Sequence, residues 1–139
     1  MAFVLVCTLW PFHVRFGLPH LVEKLGEIEW EPLYGAVSGR EHPGHASPLR
    51  DMVQNVVLFA PLGALWVYGR PVHSASVRER TKWLGQAVLA SFALSVLVEA
   101  LQLVTEDRVS QLGDVMFDSL GGLLGAAGLL LMRARSRRA

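Results

Sequence analysis

Two long apolar stretches, Leu84 to Val104 and Leu112 to Met132, each contain acidic groups: Glu99, with the amide of Gln102 beside it, in the first, and Asp114 with Asp118 in the second. Carboxyl groups are costly in hydrocarbon and are retained there mostly for a purpose. Asp114, Asp118, Gly121, Gly125, Gly128 and Met132 follow in steps of four and three, so a helix carries them as one stripe. That face begins acidic and continues nearly bare of side chains.

With 139 residues, 52% of them hydrophobic and only 18% charged, the chain is too apolar for an ordinary soluble domain. A membrane-spanning helix needs about 20 mostly apolar residues. The expected fold is therefore all-α, an integral membrane four-helix bundle forming one domain. Its helices are expected at about 1–16, 49–68, 84–104 and 112–132, with a basic tail at 133–139. The first is short, ending near His13 and Arg15. It has neither a basic region before its apolar run nor a small-residue cleavage site after it, so it reads as a retained helix rather than a signal peptide.

Residues 17–48 read as an irregular extracytoplasmic loop, punctuated by Pro19, Pro32, Pro43 and Pro48 and by Gly26, Gly35, Gly39 and Gly44. Its middle, Leu21 to Trp30, is predicted to form a short interfacial helix with Leu21, Leu25, Ile28 and Trp30 toward the membrane. Pro61 followed by Gly63 predicts a kink in the second span. Val72 to Lys82 reads as a connector, and Thr105 to Gln111 as a tight loop.

Net charge is only +1, yet the cations are concentrated. Arg70, Arg78, Arg80 and Lys82 lie in the segment Gly69 to Trp83, and Arg133, Arg135, Arg137 and Arg138 in the tail. By the positive-inside rule both segments are cytoplasmic, which predicts a multi-pass protein of the bacterial inner membrane with both termini cytoplasmic. Asn55, Glu99, Gln102, Asp114 and Asp118 then fall in the outer half of the membrane. Arg108 sits in the loop just above them, where its guanidinium can fork onto a carboxylate. These six residues form the candidate ligand-binding cluster, with Ser91 and Ser95 continuing the Glu99 and Gln102 stripe below. Three acids against one arginine leave surplus negative charge, to be met by proton uptake, a bound cation or a cationic ligand.

Other candidates carry less. Single Cys7 excludes an intramolecular disulfide and any cysteine-based metal site. His42 and His45 flank Pro43 and Gly44 without further ligands nearby, which disfavours zinc. No metal or cofactor is predicted, and no catalytic residue is assigned. Trp10, Trp30, Trp66 and Trp83 fall near helix ends and read as interfacial anchors. The arginine tail fits anionic lipid headgroups; nucleic-acid binding needs a broader basic surface.

These residues carry a family pattern. Asn55-Val56-Val57-Leu58-Phe59-Ala60-Pro61-Leu62-Gly63 resembles the Asn-x-x-x-Phe-x-Pro-x-Gly signature of VanZ-like membrane proteins. Glu99 with Gln102, followed by Arg108, is similar to their Glu-x-x-Gln and arginine elements, and Asp114 with Gly121 and Gly125 resembles their last, glycine-rich helix. Thr8-Leu9-Trp10-Pro11-Phe12 resembles the end of their first. Where the family commonly has asparagine four residues after the aspartate, this chain has Asp118, which adds an acid to the cluster. The resemblance implies a link to the cell envelope and to glycopeptide-antibiotic resistance of the teicoplanin type.

The expected function is a membrane binding module whose outer cluster recognises an envelope lipid, a lipid-linked intermediate or a glycopeptide. The alternatives are a membrane-embedded enzyme, with Glu99 and Asp114 dividing acid and base roles, and a structural protein in which the polar groups brace the helices. Expected partners are membrane lipids and a second copy of the chain, not nucleic acid.

Overall fold

A computed structural model describes residues 18–26, 48–103 and 112–136. Among these residues the fold is all-α, with no strand. A short helix, α1 (Leu18–Gly26), precedes three long ones, α2 (Pro48–Val67), α3 (Val77–Gln102) and α4 (Leu112–Arg135). The expected fourth member of the bundle, residues 1–16, lies outside the described residues, as do Arg108, His42 and His45.

Helix starts correct several boundaries. α1 begins at Leu18, three residues before the expected Leu21, because proline is tolerated in a first turn, where its missing N–H has no partner to lose; Pro19 thus opens the helix rather than blocking it. α3 begins at Val77, well inside the expected connector. Its start is a capping box: Ser76 Oγ accepts from the Glu79 N–H at 3.3 Å, and the Glu79 carboxylate accepts from the Ser76 N–H at 2.7 Å. α2 is one continuous helix through Pro61. It stops at Val67, followed by Gly69 at φ +83°, a left-handed position that favours glycine.

Among the described residues, α3 and α4 are the helices long and apolar enough to cross a membrane by length and composition. α2 was expected to be a third span, but Arg50, Asp51, Gln54 and Asn55 make its first two turns polar. In the apolar windows of α3 and α4, 28% and 33% of residues are buried. A core helix of a soluble protein would be mostly covered; here Leu89, Phe92, Leu97, Met116, Leu124 and Leu131 point outward. Apolar side chains on the outside fit a hydrocarbon solvent.

The three long helices pack along rows of every fourth residue. Asn55, Phe59, Gly63 and Val67 line α2; Trp83, Ala87, Ser91 and Ser95 line α3; Asp118, Gly122, Ala126 and Leu130 line α4. Such rows are inclined to the helix axis, so the buried line of α4 drifts away from the axial stripe read from sequence. Gly121 and Gly125 remain in the interface, but Gly128 has open space beside it and Met132 is 70% exposed.

α2 and α4 share the largest interface and run parallel; α3 runs antiparallel to both. The closeness of α2 and α4 comes from glycine. A Cβ on Gly63 would run into the backbone of Gly122, one on Gly125 into the backbone of Ala60, and one on Gly121 into the Val56 carbonyl. Gly121 and Gly125 form a Gly-x-x-x-Gly pair, the arrangement that lets two helix backbones touch in a membrane, where there is no hydrophobic drive to bring them together. At one end Val67, Val72, Trp83, Ala87, Ala126 and Leu130 form an apolar cluster, and Phe59 and Leu94 form a second toward the middle. Polar groups occupy the other end.

Gly63→Ala or Gly125→Ala must push α2 and α4 apart and is expected to destabilise the protein by about 1–3 kcal/mol, the usual range for overpacking. Gly128→Ala, with open space at its Cβ, is expected to be neutral or to stabilise the helix by up to about 1 kcal/mol. Unfolding by denaturing detergent checks both, and equal effects at Gly125 and Gly128 would contradict the close crossing.

Candidate functional site

Two hydrogen bonds join the three helices at their polar end. Asn55 Nδ2 on α2 donates to Asp114 Oδ1 on α4 at 2.7 Å, and Ser95 Oγ on α3 donates to Asp118 Oδ2 on α4 at 2.6 Å. The sequence spacing explains the geometry. Asp114 and Asp118 are one turn apart, so a single face of α4 addresses α2 with its first acid and α3 with its second.

Glu99 lies one turn beyond Ser95, and Gln102 three residues further. Gln102 is only 6% exposed and Glu99 is half-buried. Glu99, Gln102 and Asp114 each take part in further hydrogen-bonding or electrostatic contacts. Asp114 and Glu99 are also the acids whose charges act on Asp118. Five of the six residues singled out from sequence therefore occupy one end of the helix trio; the sixth, Arg108, lies outside the described residues.

Among the described residues Asp118 is the most enclosed acid, 4% exposed, and its Oδ1 is buried without a hydrogen-bond partner there. One turn down α3 from its donor Ser95, the hydroxyl of fully buried Ser91 also lacks a partner among the described residues. Ser91 Oγ packs against Gly122, itself one turn from Asp118. Two unsatisfied oxygens thus sit on adjoining turns of facing helices. An unpaired acceptor is expensive to bury, and Asp118 Oδ1 can take a donor from water, a hydroxyl or an ammonium, or carry a proton itself. Among the described residues, no three histidine, cysteine or acidic side chains converge as metal ligands.

Ser95 was seen in the sequence only as a continuation of the stripe, not as a site residue. Its spacing of four from Glu99 was the available signal; that it donates to Asp118 depends on how α3 meets α4, which spacing alone does not specify.

Replacing Asp118 by asparagine keeps an oxygen for the Ser95 hydroxyl, removes a buried charge and adds an N–H, so Asp118→Asn is expected to be at least as stable as the parent. Asp118→Ala strands the Ser95 hydroxyl and is expected to cost about 1–3 kcal/mol. A double-mutant cycle of Asn55→Ala with Asp114→Ala is expected to show a coupling of roughly 0.5–2 kcal/mol, the range for hydrogen bonds between helices in membranes. Additive effects in that cycle, or an asparagine at 118 as damaging as alanine, would contradict this geometry.

The family model described as VanZ/LLP1 matches residues 1–133, nearly the whole chain. Comparisons with curated proteins and with solved structures each returned no match. The matched region takes in the Asn55, Glu99 and Gln102, and Asp114 elements and both apolar helices. From this match and these helices, the chain belongs to the VanZ/LLP1 family and is a membrane protein.

Proposed function

We propose that the polar end of the helix trio is a recognition site for a headgroup carrying amine and hydroxyl groups, presented at the outer face of the bacterial inner membrane by an envelope lipid or a lipid-linked intermediate. The observation that carries this reading is the buried, unpartnered Oδ1 of Asp118 beside the Asn55–Asp114 and Ser95–Asp118 bonds. A brace between helices uses its acceptors up, whereas this one leaves an acceptor ready for a donor. Glu99, Asp114 and Asp118 supply negative charge for an ammonium, and Asn55 and Gln102 supply amides for hydroxyls. The site faces outward in this reading, because Arg70, Arg78, Arg80, Lys82, Arg133 and Arg135 all gather at the opposite end, which the positive-inside rule places in the cytoplasm. Arg108 is taken as a further contact to a phosphate or carboxylate of the same ligand. A glycopeptide of the teicoplanin class presents amines and hydroxyls too, and is the second ligand this chemistry admits.

Glu99→Gln, Asp114→Asn and Asn55→Ala test the reading one at a time. Each variant is expected to reach the membrane in normal amounts while the purified protein loses lipid-linked precursor by roughly tenfold or more, the effect of removing a charge-assisted hydrogen bond. Teicoplanin susceptibility of cells expressing each variant reports on the glycopeptide. Variants that fall in abundance while the remaining protein binds as before would replace recognition by a purely structural role.

A further inference from the structure

The opposite end of the molecule carries an open surface cavity, independent of the polar cluster. It has a volume of about 250 Å³ and is lined by Arg70, Pro71, Val72, His73, Ser74 and Arg133. Among the described residues the lining holds two guanidiniums, an imidazole and a hydroxyl, and no carboxylate. We propose that this cavity binds the phosphate of an anionic phospholipid headgroup.

Three features support a built site rather than loose surface charge. First, the connector that forms it is folded. The Arg70 N–H donates to the Val67 carbonyl at 3.2 Å, the Val72 N–H to the Arg70 carbonyl at 2.9 Å, and Arg80 Nη2 to the Val72 carbonyl at 2.8 Å. Val72, 1% exposed, anchors this connector in the apolar cluster of Val67, Trp83, Ala87, Ala126 and Leu130.

Second, both guanidiniums are held before any ligand arrives. Arg70 lies over the Trp83 ring at 5.8 Å from its centroid, a cation–π contact. Arg133 Nη1 donates to the Arg70 carbonyl at 3.3 Å, which ties the end of α4 to the connector. Arginine forks match phosphate oxygens in pairs of hydrogen bonds, and a fork already ordered loses less entropy on binding.

Third, the surroundings fit a lipid rather than a free anion. Leu65, Trp66 and Tyr68 on one side and Leu131 and Met132 on the other are exposed apolar or aromatic side chains next to the cavity in sequence, placed to meet acyl chains and the headgroup boundary. The only carboxylate among the described residues of the connector and the first turn of α3, Glu79, is occupied by the Ser76 capping box. Among the described residues no carboxylate of the lining neutralises Arg70 and Arg133, and a phosphate does.

The test uses the full chain in mixed micelles and counts bound phosphatidic acid against phosphatidylcholine by native mass spectrometry. The parent is expected to retain phosphatidic acid preferentially. Arg70→Gln with Arg133→Gln is expected to lower that preference roughly tenfold or more, while Arg78→Gln with Arg135→Gln, which removes equal charge from outside the cavity, leaves it unchanged. Equal losses in both pairs would reduce the effect to general surface charge and overturn the proposal. Should the Arg70 and Arg133 pair not fold, His73→Ala with Ser74→Ala probes the same cavity from two exposed positions; a severalfold loss supports the site, and an unchanged preference overturns it. Inorganic phosphate at micromolar concentration is expected not to displace the lipid. Displacement would assign the cavity to free phosphate and overturn the lipid assignment.

Discussion

The contact of backbone with backbone between α2 and α4 is the constraint on which the rest depends. Gly63 against Gly122 and Gly125 against Ala60 leave no room for side chains between the two helices. In hydrocarbon no hydrophobic force draws helices together, so their association rests on packing of this kind and on hydrogen bonds between polar groups. Both are present, and they lie on one line. The row that carries Gly122 into contact with α2 carries Asp118 one turn earlier, and Asn55 begins the row that carries Gly63. Close approach in the middle of the helices thus fixes the register in which Asn55 meets Asp114 and Ser95 meets Asp118.

One consequence is a molecule with two chemically opposite ends. Apart from Arg50 and Glu79, acids and amides gather where α2 and α4 begin and α3 finishes, and arginines gather where α2 and α4 finish and α3 begins. Between them lie small residues and aliphatic side chains with no described charge. Among the described residues, one buried Asp118 oxygen at the acidic end lacks a hydrogen-bond partner, and at the basic end two guanidiniums line a cavity with no acid in its lining.

Much of this was readable from residue spacing. Carboxyl groups inside apolar runs announced the polar level, and glycines three and four apart announced the close face of α4, because both signals are local and periodic. The stripe failed at Gly128 and Met132 because it assumed a seam parallel to the helix axis, whereas the packed rows are inclined and the buried face passes to Ala126 and Leu130. Ser76 and Glu79 did hold a legible signal, the Ser-x-x-Glu of a capping box, which the basic composition of the connector obscured. The folded connector itself was not legible. Val72 is buried by Val67, Trp83, Ala126 and Leu130, partners spread over three helices, and no local pattern encodes that meeting.

Cysteine cross-linking tests the central claim, that distant parts of the chain deliver their polar side chains to one level. In a Cys7→Ser background, Asn55→Cys with Asp114→Cys is predicted to form an intramolecular disulfide on mild oxidation in native membranes, while Asn55→Cys with Met116→Cys, which points outward from α4, is predicted to remain reduced. Efficient bridging of the second pair in preference to the first would place α2 and α4 in another register and contradict the account.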